Sequence, residues 1–345
     1  MRIAIISPYT LPVNRGNSLT AERIKKGLIK KGLTVSIFDS SKDSIKETAE
    51  FNPDIVHCLH GIRSQLFISE LYHHISAPLV TTLTGTDYNS PEKPGTLPEK
   101  LSYMLQRSSA IITFHSFAKD LLLEVFPLFA EKVRVIPQAV ELMTRNESRN
   151  SIRNKYEYTE RDVIILLAGG IRSIKNLDYA LDACFEIEKQ NHQIKLILAG
   201  PVIEQNNADH IFGKGKELKC FSYLGELSQH ETRRLMYGSD IFLNTSISEG
   251  MSGAILEAMA ESLPVIATRN SGNASLIINN KNGFLVPLDS LNALKDKILC
   301  LISDQNLRIK IGKAGNMMVK KNHSAELEID RLLMIYKTTD DNFSK

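Results

Sequence analysis

Two glutamates, Glu249 and Glu257, stand with seven residues between them in the stretch 248–272, SEGMSGAILEAMAESLPVIATRNSG. Ile247 closes an apolar, strand-like run, Gly250, Ser252 and Gly253 form a small-residue turn, and AILEAMAES has the composition of a helix. Such a turn leaves backbone N–H groups unpaired at a helix N-terminus, where a phosphate or the hydroxyls of a sugar can dock. Glu249 precedes the turn and Glu257 lies about one and a half turns into the helix, so both can project toward one crevice. The alternative is structural, with Glu257 on a solvated face and Glu249 a partner of the helix dipole.

The elements that would position these residues alternate short apolar runs with longer amphipathic segments, the pattern of parallel strands joined by helices. Strands are expected at 3–6, 33–38, 55–59, 79–83, 110–113 and 133–136, with a first helix placing Ala21, Ile24 and Leu28 on one face. Residues 141–161 are polar and charge-rich and read as a linker. The rhythm restarts with VIILLAGG at Val163, IKLILAG at Ile194, DIFLNTS at Asp240 and LPVIATR at Leu263. The reading is therefore an α/β chain of two doubly wound domains, 1–140 and 162–322, with the ligand in the crevice at the strands' carboxyl ends. A last helix within 323–345 is expected to cross back to the first domain.

At ~150 residues per domain, a length of 345 favours two cores. Forty-two Lys and Arg against 39 Asp and Glu leave +3, too little for a general nucleic-acid binder. Cys58, Cys184, Cys220 and Cys300 lie far apart, with no Cys-x-x-Cys pair, so a reduced, cytoplasmic setting is expected. No stretch approaches the ~18 apolar residues that span a bilayer. Arg23, Lys25, Lys26, Lys30 and Lys31 on the first helix could meet anionic lipid, although a solvated basic face is the commoner outcome, so peripheral membrane contact is not favoured. His57 and His60 are three apart on a strand and point to opposite faces, so no metal site is expected, and His57 is placed toward the cleft.

Glu249, seven residues, Glu257, then Ala-Met-Ala and Pro-Val-Ile-Ala resemble the signature of the retaining glycosyltransferases of family 4. The resemblance extends to Gly16 in the first loop, Asp54-Ile55-Val56-His57, Gly85-Thr86-Asp87, Val135-Ile136-Pro137, Ala199-Gly200-Pro201 and Asn282-Gly283. GNSLTAERI, TGTD and SEGMSGAILEAM with SGNA narrow it to the glycosyltransferase 1 domain-containing proteins, with some likeness to selenosugar synthases. The family implies two Rossmann-like domains facing across a cleft, the GT-B fold, and transfer of a sugar from a nucleoside diphosphate, UDP foremost, to an acceptor with the anomeric configuration kept. It implies that Glu249 contacts the donated sugar, that Glu257 holds the ribose, and that the amides of Gly250, Met251, Ser252 and Gly253 face sugar and diphosphate. Gly16 would let the first-domain loop approach the phosphates. The nucleotide-sugar is a substrate, and neither cofactor nor metal is expected.

In GGIRSIKN, residues 169–176, Arg172 and Lys175 could supply two positive charges and a fork of donors to a departing diphosphate. The family usually carries its Arg directly after the first Gly, five residues before the Lys. Here that slot is Gly170, which is left as a donor-binding backbone position. Thr84 stands where many members have His, which makes Asp87 the candidate carboxylate from the first domain, with a loop-capping role the alternative. A dinucleotide oxidoreductase is a rival, but SPYTLPVNRG has one Gly and two Pro where G-x-G-x-x-G needs three Gly. A sugar-nucleotide epimerase on the same fold and a non-catalytic nucleotide-sugar-binding protein are two further rivals.

Overall fold

The computed structural model describes residues 1–13, 15–88, 99–190 and 194–343. They form two compact units, Met1–Glu141 with His323–Lys345, and Leu142–Asn322.

Unit 1 holds six parallel strands: β1 (Arg2–Ser7), β2 (Thr34–Asp39), β3 (Ile55–Leu59), β4 (Leu79–Thr82), β5 (Ala110–Thr113) and β6 (Val133–Val135), in the order β2-β1-β3-β4-β5-β6. The apolar runs are continuous because both faces of the sheet are covered. Ile3 and Ile5 pack with Ala21, Ile24 and Leu28 in one layer, while Ala4 and Ile6 pack with Phe67, Ile68 and Leu71 in the other. The helix Ala325–Phe343 completes the first layer with Ile329, Leu332 and Tyr336. It is fastened by Arg23, whose Nε and Nη2 donate to the two Glu328 oxygens at 2.8 and 2.9 Å, and Lys31 lies 2.7 Å from Asp330. Two of the five basic residues on the helix Gly16–Lys30 and its end therefore face another helix.

Unit 2 holds β7 (Val163–Ala168), β8 (Ile194–Ala199), β9 (Phe221–Tyr223), β10 (Ile241–Asn244), β11 (Val265–Thr268) and β12 (Phe284–Val286), all parallel, in the order β12-β11-β10-β7-β8-β9. The stretch 141–161 is not a free linker. It carries the helix Arg149–Lys155, capped by Ser148, and its Arg153 is buried in unit 2 with hydrogen bonds to Asp240 Oδ2 at 3.0 Å and the Gly238 carbonyl at 3.1 Å. Its polar composition reflects an Arg–Asp contact that takes the place of an apolar one. Among the described residues no helix is long and apolar enough to cross a membrane.

Candidate active site

In an open parallel sheet the loops diverge where the strand order reverses, and ligands bind outside the carboxyl ends at that point. In unit 2 the reversal falls between β7 and β10, so the loops that follow these two strands form the site.

After β7 come Gly169 and Gly170, then Arg172 and a short 3-10 turn, Ser173–Lys175. Gly200 lies against the Gly169–Gly170 backbone that leads into the turn. A Cβ on Gly200 would sit 2.0 Å from the Gly169 carbonyl oxygen, and its φ of +149° is itself one that side chains avoid. A Cβ at Gly170, the slot where family members carry Arg, would run 2.2 Å from Ile203 Cδ1. The loop after β10 is stitched to the turn by Ile247 N–H to the Ile174 carbonyl at 2.9 Å and by Thr245 Oγ1 to the Lys175 carbonyl at 2.9 Å.

These contacts bring Lys175 and Glu249 together. Lys175 Nζ lies 2.6 Å from Glu249 Oε1, with side chains 18% and 13% exposed. The same oxygen accepts from Ser246 Oγ at 2.7 Å and Asn244 Nδ2 at 3.3 Å. Burial pushes the Glu249 carboxyl up, but the Lys175 charge and the hydrogen bonds from Lys175, Ser246 and Asn244 outweigh it and hold the group below the usual glutamate range. Glu249 is thus an anion fixed in place. Ser246 is held in turn by Thr268 Oγ1 and Asn270 Nδ2, which donate to its carbonyl at 2.5 and 3.0 Å.

The helix Gly253–Ala260 starts at Ser252, whose hydroxyl accepts from Ile255 N–H and receives a bond from Asn244 Nδ2 at 3.2 Å. No acidic residue lies in its first turn. Gly250, Met251 and Ser252 are buried, and Gly272 packs beneath them. A Cβ on Gly272 would sit 2.5 Å from the Glu249 carbonyl oxygen and 2.8 Å from that of Gly250. Glu257 accepts from Gln229 Nε2 at 2.6 Å. Arg172 is half-buried, and its Nε is buried with no hydrogen-bond partner. Beside the turn an open hollow of about 630 Å³ is lined by Ser173, Glu204, Gln205, Asn206, Asn207 and His210, and neither glutamate lines it.

Asp87 and Gly16 belong to unit 1. Asp87 is fully buried and accepts from the backbone N–H groups of Thr84 at 3.0 Å, Gly85 at 2.8 Å and Gly61 at 3.3 Å. The geometry makes it a clamp on the loop after β4, the loop-capping alternative that the sequence offered for this residue. His57 is also buried away from any crevice, its ring nitrogens held by Thr82 Oγ1 at 2.7 Å and Tyr336 Oη at 2.6 Å. Burial pushes its pKa down to about 3, so it is neutral. Gly16 is exposed at the start of its helix, and a Cβ there would meet nothing within 4 Å.

Sequence reasoning missed Asn244, Ser246 and Gln229, which orient the two glutamates. For Asn244 and Ser246 the signal was present as a cluster of small polar residues, NTSIS, directly after an apolar run, whereas nothing in the sequence around Gln229 marked it.

Residues 148–318 match the family model described as Glycosyl transferases group 1. Over 338 residues, 93% of each chain, the protein is 25% identical to glycosyltransferase 1 domain-containing protein 1 of Xenopus tropicalis. Among solved structures, sucrose-phosphate synthase from Thermosynechococcus elongatus superposes with a TM-score of 0.82 at 17% identity over 98% of both chains. Anabaena Alr3699/HepE, solved in complex with UDP and glucose, superposes with a TM-score of 0.79 at 17% identity, covering 98% of this chain and 100% of that one. These likenesses show the fold, that of the GT-B glycosyltransferases. Through residues 148–318 the chain is similar to the glycosyl transferases of group 1.

Proposed function

We propose that the protein is a retaining glycosyltransferase that moves a sugar from a nucleoside diphosphate, UDP in the first instance, to an acceptor nucleophile. The observation that carries this reading is the Lys175–Glu249 pair at the reversal point of the unit 2 sheet. It sets a cation beside a fixed anion near the N-terminal end of the helix Gly253–Ala260, which suits a ligand with an anionic and a hydroxyl-rich half. The occurrence of UDP and glucose in Anabaena Alr3699/HepE supports the choice of nucleotide.

In the reaction the bond from the anomeric carbon to the diphosphate oxygen breaks as the bond to the acceptor oxygen forms on the same face. The departing diphosphate takes the acceptor's proton, so no protein nucleophile is assigned, in keeping with the sealed position of Asp87. Lys175 and Arg172 stabilise the charge developing on the diphosphate, doing so without a divalent cation, and the amides of residues 250–253 add the field of the helix end. Glu249 orients the sugar hydroxyls, and Glu257, set by Gln229, holds the ribose.

The test is a thermal-shift screen with UDP, GDP, ADP and their sugar conjugates, followed by NMR of the product's anomeric configuration. A ligand at about 100 times its dissociation constant stabilises by ~2.7 kcal/mol. One nucleotide is expected to raise the melting temperature of the parent and not of an Arg172→Ala, Lys175→Ala variant. An inverted product, or no response to any nucleotide, would refute the reading.

A further inference from the structure

Unit 1 has a reversal point of its own, which the reading of unit 2 leaves unused. In the order β2-β1-β3-β4-β5-β6 the chain turns one way after β1 and the other after β3, so the loops following these neighbouring strands diverge around a crevice. Tyr9 and Arg15 lie in the first loop and Arg63 in the second. Arg63 Nη1 donates to Tyr9 Oη at 2.8 Å, and the Arg15 and Arg63 guanidinium carbons stand 4.6 and 5.5 Å from the centre of the Tyr9 ring. One tyrosine therefore gathers two guanidinium groups.

Neither arginine has a carboxylate partner among the described residues. Two acids at or beyond the carboxyl ends of strands in the same sheet are already engaged. Asp39 holds Thr10 Oγ1, Ser41 and Lys42, while Asp87 is tied to the backbone of residues 61, 84 and 85. The helix Gly16–Lys30, which begins next to Arg15, has no acidic residue in its first turn, so its N-terminal amides add to the same positive field. Two like charges held together without a counter-charge repel, and an anion seated between the loops would relieve this. Two guanidinium forks match the charge and the several oxygens of a phosphate monoester better than they match a single carboxylate.

We infer that this crevice binds a phosphoryl group carried by the acceptor, an inference that rests on the glycosyltransferase reading for the word acceptor and on Tyr9, Arg15 and Arg63 for the phosphoryl group. It narrows the acceptor class to phosphorylated molecules, soluble or lipid-borne.

The experiment is calorimetric titration of inorganic phosphate into the full chain at low salt, on an Arg172→Ala, Lys175→Ala background that silences the anion site of unit 2. Saturable binding is expected. Adding Arg63→Ala or Arg15→Ala should weaken it by at least about tenfold, the worth of one charge-assisted hydrogen bond. Arg63 is exposed, so its replacement should leave the melting temperature unchanged, and Arg63→Lys should restore part of the affinity. Absence of phosphate binding, or binding indifferent to both arginines, overturns the inference. In a chain with residues 172 and 175 intact, the UDP-induced shift should survive Arg15→Ala, Arg63→Ala. Its loss would give the crevice to the donor diphosphate and overturn the inference. A parent that ignores UDP but binds phosphate through Arg63 refutes the donor reading and leaves the anion site standing. Sedimentation with phosphatidic acid vesicles against phosphatidylcholine vesicles separates the two sources. Arg63-dependent pelleting assigns a lipid-borne phosphoryl group, and phosphate binding without pelleting assigns a soluble one.

Discussion

Lys175 Nζ lies 2.6 Å from Glu249 Oε1, joining the loop after β7 to the loop after β10 across 74 positions of sequence. The pair is sheltered enough that removing one partner leaves the other poorly hydrated. Lys175→Ala is therefore expected to cost ~1–3 kcal/mol of stability by leaving the Glu249 carboxylate short of a partner. Glu249→Gln keeps a hydrogen-bonding group for Ser246 and should cost less. Both should lower sugar transfer by about 100-fold or more, as the loss of a group aimed at developing charge does. Donor consumption and thermal unfolding measured side by side check this, and equal losses of both would remove Glu249 from the chemistry.

The same pair sets a pH dependence. Unfolded, Glu249 titrates near the usual glutamate value of 4.5, and folded it titrates lower. Between the two values the unfolded chain holds more protons, so stability rises with pH across that window. The pair's contribution is complete above pH 4.5 and is lost as pH falls through the depressed folded value. Lys175→Met should flatten this segment of a melting-temperature profile, and an unchanged acid limb would contradict the assignment.

Gly272 tests the backbone of the site. Because a Cβ there would strike the carbonyl oxygens of Glu249 and Gly250, Gly272→Ala must displace the loop that presents Glu249. The expected result is a loss of ~2 kcal/mol or more from overpacking against rigid backbone, with weaker donor binding. Gly213→Ala is the control, because a Cβ at this helical position meets nothing within 4 Å. It should be neutral or stabilise by ~0.5–1 kcal/mol.

Which parts were legible follows from where the stabilising partners sit. β1, β3, β7, β8 and β10 declare themselves because a strand covered on both faces needs an unbroken apolar run. β9 and β12 have three residues each and went unseen, whereas β6, equally short, was expected at 133–136. The helix Arg149–Lys155 was hidden because Arg153 is matched by Asp240, 87 positions away, and no local pattern announces such a partner. Glu249 and Glu257 could be read from the turn between them. Lys175 could be read as a cation in a glycine loop, but its pairing with Glu249 depends on β7 lying beside β10. For Asp87 the sequence left a catalytic and a loop-capping role open, because its backbone partners become visible only once the loop after β4 is folded.

The thiols should report on burial directly. Burial pushes Cys58 and Cys220 up to about 12 and Cys184 well above its ordinary value, whereas Cys300 is exposed. Since the thiolate is the reactive form, a disulfide reagent at pH 8 should modify one thiol per folded chain and four after denaturation. Cys300→Ser should abolish the fast phase. A second fast thiol would mean that one of the buried cysteines opens to solvent.

The last helix makes the final prediction, because it supplies to unit 1 what the first 141 residues lack. Ile329, Leu332 and Tyr336 fill a layer over Ile24 and Leu28, and Glu328 neutralises Arg23 while also accepting from Ala139 N–H at 3.3 Å. With Arg23 and Glu328 9% and 3% exposed, Glu328→Ala strands a buried guanidinium and should cost about 3–5 kcal/mol. Arg23→Met together with Glu328→Leu removes both charges and should recover most of that loss, since an apolar pair can replace a buried ion pair. A chain ending at Asn322 should lose the cooperative unfolding of unit 1 and leave the core of unit 2, which the helix does not enter, with its own transition. Calorimetry on the three proteins decides the matter, and a truncated chain that unfolds like the parent would show that unit 1 closes its core without the helix.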